Sequence, residues 1–266
     1  MEKNIDYQEI ETQCKSAIIK AGKISKELKK NIKVHYKSEN QPVTNADLEI
    51  NNFLKNILTK ICPNYGWLSE ESVDDESRLK KNIFWCLDPI DGTRSYIYNK
   101  PEYTISLALI NKKTPILGFI YNPCTEEFFF SKKNHGSFCN GERIFVNKKR
   151  KINECTVAIS SSEKKKWDSF DFLKKIKIIK MGSIAYKIAL VAKGNCDVAL
   201  SFTKKNDWDL AAADLLVSEA GGEIKTIMGE KINYNTDKLR IDSVMAGNLE
   251  LTSDLIKVLK KSNEPK

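Results

Sequence analysis

No apolar run in the 266 residues approaches the ~20 needed to span a bilayer, so a membrane-spanning helix is not expected. The opening, Met1-Glu2-Lys3-Asn4-Ile5-Asp6, lacks the basic-then-apolar layout of a secretory leader. The seven cysteines (14, 62, 86, 124, 139, 155 and 196) are scattered and contain no CxxC pair, which predicts free thiols, a reducing compartment and a cytoplasmic setting. Arginine is scarce: only positions 78, 94, 143, 150 and 240 carry it, and lysine makes up the rest of the 44 basic residues. Readers of nucleic acid favour Arg for bidentate base and phosphate contacts. The net charge of +9 is therefore read as a solvated lysine surface that also attracts small anions, not as a nucleic-acid footprint. A GxxxxGK[ST] phosphate loop is missing too, which excludes the common nucleotide switches. With 41% hydrophobic and 30% charged residues, the chain has the composition of a folded globular protein.

Ile10, Cys14, Ala17, Ala21, Ile24 and Leu28 recur at spacings of three or four, the stripe of a long amphipathic helix. A polar stretch, Lys37 to Gln41, breaks it. Thr44-Asn45-Ala46-Asp47 has the form of a capping box, and Ile50, Phe53, Leu54, Ile57 and Leu58 supply the buried face of the helix it opens. Strand patterns then follow at Ile83 to Leu87, Tyr103 to Ile110, Ile116 to Tyr121 and Glu127 to Phe130, the features of an antiparallel meander. Beyond about residue 150 strands and helices alternate: strands at Thr156 to Ser160, Ile176 to Ile179, Asp197 to Phe202 and Ser243 to Ala246, helices around 163 to 174 and at Ser183 to Ala192, Trp208 to Ala220 and Leu249 to Lys260. The expectation is an α+β half, residues 1–150, packed tightly on an α/β half, residues 151–266, as one structural unit.

The most informative stretch is Trp85-Cys86-Leu87-Asp88-Pro89-Ile90-Asp91-Gly92-Thr93. It sets two acids three apart at the end of a buried strand, in a turn held by Pro89 and Gly92. Amides at Gly92 and Thr93, opening a short helix, would face an incoming anion. Acids beside an anion site make chemical sense with a divalent cation between them. Glu70, Asp209 and Asp47 lie at other element boundaries. Each also has a plain structural reading, as an Asx turn at Asp88, a surface acid at Glu70, a dipole partner at Asp209 and a helix cap at Asp47. If they converge, two carboxylates ~4 Å apart repel by roughly 4 kcal/mol at an effective dielectric near 20, and a cation is needed to hold them. An oxygen-only ligand set favours Mg²⁺ or Mn²⁺, and no His/Cys set competes.

Asp88-Pro89-Ile90-Asp91-Gly92-Thr93, the upstream Ser69-Glu70-Glu71, and Trp208-Asp209 with Gly221-Gly222 beyond it resemble the signatures of the inositol monophosphatase superfamily, in order from about residue 10 to 250. The resemblance implies magnesium-dependent, lithium-sensitive phosphatase chemistry, a layered αβαβα sandwich and a homodimer. It further implies that Glu70, Asp88 and the Ile90 carbonyl hold a first metal, that Asp88, Asp91 and Asp209 hold a second, and that Glu70 shares a looser third. Thr93 paired with Asp47 would orient and deprotonate the attacking water, so Asp47, Glu70 and Thr93 are the implied catalytic positions. Gly92 and Thr93 would bind the phosphate.

The acid that contacts ring hydroxyls in the superfamily's inositol-phosphate hydrolases lies seven positions before the last metal Asp, and here that position is Phe202. An aromatic there, with the strand Tyr103 to Ile110, resembles the branch acting on 3'-phosphoadenosine 5'-phosphate. Gly182-Ser183-Ile184-Ala185 matches the substrate-facing segment and also reads as a helix N-cap. Lys204 and Lys205 could meet a second phosphate and also read as surface lysines. The expected activity is that of a 3'(2'),5'-bisphosphate nucleotidase acting on a small phosphate ester, with an inositol or sugar monophosphatase as the alternative. A haloacid-dehalogenase-type mechanism fails because Pro89 stands where its nucleophilic Asp is required. An RNA-associated protein on a phosphatase-like scaffold would be expected to have lost metal acids that are all present here.

Overall fold

The computed structural model describes residues 7–39, 41–163, 167, 168, 170, 174 and 176–262. Five layers of helix and sheet stack around three apolar cores. The outermost layer is a helix pair, α1 (Tyr7–Leu28) and α2 (Asn45–Ile61). The predicted α1 stripe is the buried one: Ile10, Cys14, Ala17 and Ala21 are inside, with Ile24 and Leu28 packed at its edge. Between these helices, β1 (Val34–Ser38) and β2 (Gln41–Thr44) form a hairpin with Tyr36 opposite Pro42. Sequence reading took this stretch as a polar break. Its first strand is almost wholly exposed, so no in-out alternation marks it.

The helix pair covers one face of a seven-stranded sheet. Its strands, in spatial order, are β3 (Gly66–Ser69), β4 (Ile83–Asp91), β5 (Thr104–Asn111), β6 (Thr114–Asn122), β7 (Glu127–Lys132), β8 (Gly136–Cys139) and β9 (Glu142–Arg143). β3 and β4 run parallel, and every other neighbouring pair is antiparallel. Alternation along β4 sorts the cores. Trp85 and Leu87 point to α1 and α2, while Phe84 and Cys86 point to the next helix layer.

That middle layer is α4 (Ile184–Ala192) and α5 (Asp207–Glu219), introduced after the short α3 (Thr93–Ile97). Beyond it lies a second sheet of five strands in the order β11 (Lys177–Lys180), β10 (Thr156–Ile159), β12 (Val198–Ser201), β16 (Val244–Gly247) and β14 (Glu223–Lys225). β11, β10 and β12 are parallel, and β16 runs antiparallel to both its neighbours. α6 (Leu249–Ser262) closes the stack through Leu251, Leu255 and Leu259. A two-stranded pair, β13 (Lys205–Asn206) with β15 (Arg240–Ile241), sits just ahead of α5. The helix expected around 163 to 174 falls largely outside the described residues. All seven cysteines are free, and among the described residues no helix is long and apolar enough to cross a membrane.

Candidate active site

In a regular strand, residues three apart point to opposite faces. Asp88 and Asp91 nevertheless reach the same place, because β4 is bulged between them. Asp88 pairs with Ser106 and Asp91 with Thr104, so three steps on β4 oppose two on β5. Pro89, which has no N–H for the ladder, sits inside this bulge where none is needed. The Asp88 Oδ1 accepts the Ile90 N–H at 3.0 Å and so fixes its own carboxylate.

Asp209 arrives from the other side of the sheet on the first turn of α5. Its Oδ2 accepts the Asn206 N–H at 2.6 Å, a cap that leaves Oδ1 free of that bond. Carboxylate oxygens of Asp88, Asp91 and Asp209 lie within 4.8 Å of one another, a grouping able to hold a metal ion. Burial is the largest cause pushing all three carboxyls upward; neighbouring acid charge adds to it at Asp88 and Asp209, taking Asp209 to about 8, while hydrogen bonds from Ser183 and Ala185 oppose it at Asp91. Three hard oxygen donors that repel one another in a dry pocket fit a divalent cation of the Mg²⁺ type, whose charge removes the repulsion.

Asp91 is held by the turn that opens α4. Its Oδ2 accepts the Ser183 hydroxyl at 2.5 Å and the Ala185 N–H at 2.6 Å. Ser183 adopts φ +46°, uncommon for a residue with a side chain, and its hydroxyl also caps the Tyr186 N–H at 2.9 Å. Two glycines allow this turn to press on the Asp91 turn. Gly92 has φ +93°, and a Cβ there would lie 2.9 Å from the Glu102 carbonyl; a Cβ on Gly182 would lie 2.0 Å from the Ser95 hydroxyl. Gly92 and Thr93 thus open α3 directly against Gly182 and Ser183.

Asp47 is the third residue of α2 in a complete capping box with Thr44. Its Oδ2 takes the Thr44 N–H at 2.8 Å and the Thr44 hydroxyl at 2.5 Å, and its Oδ1 is 3.3 Å from the Thr93 hydroxyl. The same hydroxyl reaches the Ile90 carbonyl at 3.1 Å. Burial raises the Asp47 carboxyl to about 6, against the lowering effect of the Thr44 hydrogen bonds.

Glu70 follows β3 and stands outside the three-acid group. Its Oε1 accepts Lys37 Nζ at 3.3 Å, and the same ammonium bonds Glu71 at 2.6 Å. Its charge still raises Asp88 and Asp209. The two expected lysines diverge. Lys205 bonds the Thr203 hydroxyl at 2.7 Å and favours the Asp209 carboxylate, whereas Lys204 is exposed and pairs loosely with Asp242 at 3.7 Å. The Phe202 ring is packed in the outer core, stacked on Phe170 with centroids 5.1 Å apart.

Two groups near the site escaped sequence reading. Lys187 is only 2% exposed, and its charge acts on Asp91. Burial lowers its pKa to about 8, opposed by the fields of Glu163 and Asp91. Glu163 is buried and fully engaged, with Ser201 at 2.6 Å, Thr203 at 2.5 Å and the Phe202 N–H at 3.0 Å. The available signal was a single charge inside the otherwise apolar run Ile184 to Ala192, where every residue is buried.

The sequence profile of the inositol monophosphatase family matches residues 6–264. The chain belongs to the inositol monophosphatase family. It is accordingly a phosphatase, a phosphoric monoester hydrolase of a metal-dependent family. Among its relatives, the "3'(2'),5'-bisphosphate nucleotidase CysQ" of Buchnera aphidicola is 34% identical over 228 residues, covering 82% of this chain and 83% of that one. The "Inositol-1-monophosphatase" of Mesorhizobium japonicum is 30% identical over 241 residues, covering 87% of each. In structure, the extragenic suppressor protein suhB of Bartonella henselae superposes with a TM-score of 0.84 at 27% identity, covering 95% of this chain and 98% of that one. The layered sandwich expected from the resemblance is the family's fold.

Proposed function

We propose that this family member is a Mg²⁺-dependent 3'(2'),5'-bisphosphate nucleotidase that converts 3'-phosphoadenosine 5'-phosphate to AMP and phosphate. The observation that carries the substrate choice is Lys187, a lysine buried in α4 whose positive field reaches Asp91. Holding such a charge out of water is costly unless an anion meets it. Lys205, beside Asp209, adds a second cation. A substrate with one phosphate at the acids and another at the lysines answers both. The inositol alternative needs an acid to accept ring hydroxyls. Position 202 is Phe, and the oxygens of nearby Glu163 are already bonded to Ser201, Thr203 and Phe202.

Asp88, Asp91 and Asp209, with the Ile90 carbonyl and Glu70, are the residues that would hold the two metal ions and a looser third. When bound, divalent ions lower the pKa of a water and offset charge on the phosphoryl oxygens. The protein's own part is positional and protolytic. Gly92 and Thr93 amides seat the phosphate, and Thr93 Oγ1 holds the attacking water in line. The water oxygen bonds to phosphorus as the ester P–O bond breaks. Its proton passes to Thr93 Oγ1 while the threonine proton passes to Asp47 Oδ1, and the departing 3'-oxygen takes a proton from solvent. An Asp47 carboxyl raised to about 6 is well matched to accept that proton near neutral pH. A cytoplasmic homodimer inhibited by Li⁺ belongs to the same reading.

The test compares kcat/KM for 3'-phosphoadenosine 5'-phosphate and inositol 1-phosphate, on the wild-type chain and on Lys187→Gln. The expected result is a preference for the bisphosphate that the variant loses through KM. Equal or higher efficiency on inositol phosphate overturns the substrate assignment.

A further inference from the structure

The loop between Glu70 and β4 contains a fully buried arginine. Arg78, in the 3-10 turn Ser77–Lys80, is 1% exposed. Arginine is rarely found there unless its donors are spoken for. Its Nε donates to Asp74 Oδ1 and Oδ2 at 3.2 and 3.0 Å, and its Nη2 to Asp74 Oδ2 at 2.9 Å and to the Thr236 carbonyl at 3.2 Å. Its Nη1 donates to Asn235 Oδ1 at 2.5 Å, across 157 positions of sequence. Asn235, at φ +56°, passes the link on: its N–H donates to Asp207 Oδ2 at 2.6 Å. Asp207 is wholly buried at the start of α5, two residues before Asp209, and its Oδ1 has no partner among the described residues.

A relay therefore runs from the Glu70 loop, through one guanidinium and one asparagine, to the helix end that presents Asp209. Asp88 and Asp91 are set by the β4–β5 ladder, but Glu70 and Asp209 ride on separate elements from the two halves of the sequence. A rigid planar fork is suited to fixing such a separation, where a flexible ammonium is not. Groups that hold metal ligands in place commonly change metal affinity about 10–100-fold when altered.

We propose that Arg78 is a positioning residue for the acid cluster, holding the Glu70 loop at a set distance from the N-terminus of α5 and thereby setting the affinity for divalent cations. This rests on reading that cluster as the metal site and is independent of the substrate. The experiment uses the full chain with Arg78→Lys and, separately, Asn235→Gly, which suits the left-handed backbone and removes only the Arg78 acceptor while keeping the N–H to Asp207. Mn²⁺ binding is measured without substrate from the loss of the free-ion paramagnetic resonance signal, alongside thermal melting. The expected result is binding weakened by about tenfold in both variants, with a double variant less than additive because the two act through one link. Lowered melting temperatures with Mn²⁺ affinity within about twofold of wild type would mean a role in stability alone and overturn the proposal. Should Arg78→Lys not fold, Asn235→Gly decides by the same criterion. A wild-type chain that takes up no Mn²⁺ overturns the metal-site reading itself, a different result from unchanged affinity in the variants.

Discussion

Replacing Asp88 by asparagine should make the metal-free protein more stable. The three carboxylates lie within 4.8 Å of one another, so each fully ionised pair costs at least about 3.5 kcal/mol at an effective dielectric near 20. Proton uptake caps that cost, because neutralising an ordinary aspartate at pH 7 takes about 4 kcal/mol. The amide keeps the shape and can still accept the Ile90 N–H through Oδ1, so little is lost in the bulge. Relief on the order of 2–4 kcal/mol corresponds to a rise of roughly 4–8 °C in melting temperature for a chain of 266 residues. Saturating Mg²⁺ should reverse the order. Wild type gains about 2.7 kcal/mol at a hundred times its Kd, and the variant, lacking a donor, gains far less. The assay is thermal melting of both proteins at pH 8, in EDTA and then in Mg²⁺, with hydrolysis of a phosphate-ester panel alongside. An Asp88→Asn melting point at or below wild type in EDTA, or equal shifts on adding Mg²⁺, would refute the electrostatic reasoning.

The same crowding fixes a pH slope. The folded carboxyls of Asp47 and Asp209 are raised to about 6 and about 8, so between pH 4 and 8 the native state binds more protons than the unfolded one. Metal-free stability should therefore fall as pH rises through that window, and melting in EDTA from pH 5 to 8.5 checks the sign. Thr93→Val should lower kcat by about 10²–10⁴-fold with Mn²⁺ affinity nearly intact, since the hydroxyl is assigned to the proton path; single-turnover hydrolysis and direct Mn²⁺ titration separate the two. Gly182→Ala should lower both melting temperature and activity, because its Cβ would fall 2.0 Å from the Ser95 hydroxyl and displace the Ser183 turn that holds Asp91. Full activity in that variant would show the turn to be more yielding than its contacts imply.

Much of this was legible in the sequence because the signals were local. The capping box at Thr44 and Asp47 and the strands at Ile83 to Leu87 and Tyr103 to Ile110 depend on neighbours a few residues away, and a capping box and strands are found there. Asp88 and Asp91 could be named as partners by spacing, but not shown to share a face, since the bulge is a property of β4 against β5. The Lys37 contact with Glu70 and Glu71 depends on an exposed hairpin with no apolar pattern. Phe202 was weighed as a substrate position, yet its ring joins Phe170 in the outer core. Lys187 and Glu163 acquire meaning only once two distant segments converge, and no periodicity encodes that.

Asp47 and Asp209 occupy the same position in the first turns of two unrelated helices, each with one oxygen on the backbone that begins its helix. A lineage relieved of its catalytic duty would therefore not be free to shed these acids, because losing either removes a helix cap, a cost of about 0.5–2 kcal/mol. Decay of activity in this scaffold should begin elsewhere, at Thr93 or Glu70, and descendants that have stopped hydrolysing phosphate esters should still carry both aspartates or the asparagine that mimics them.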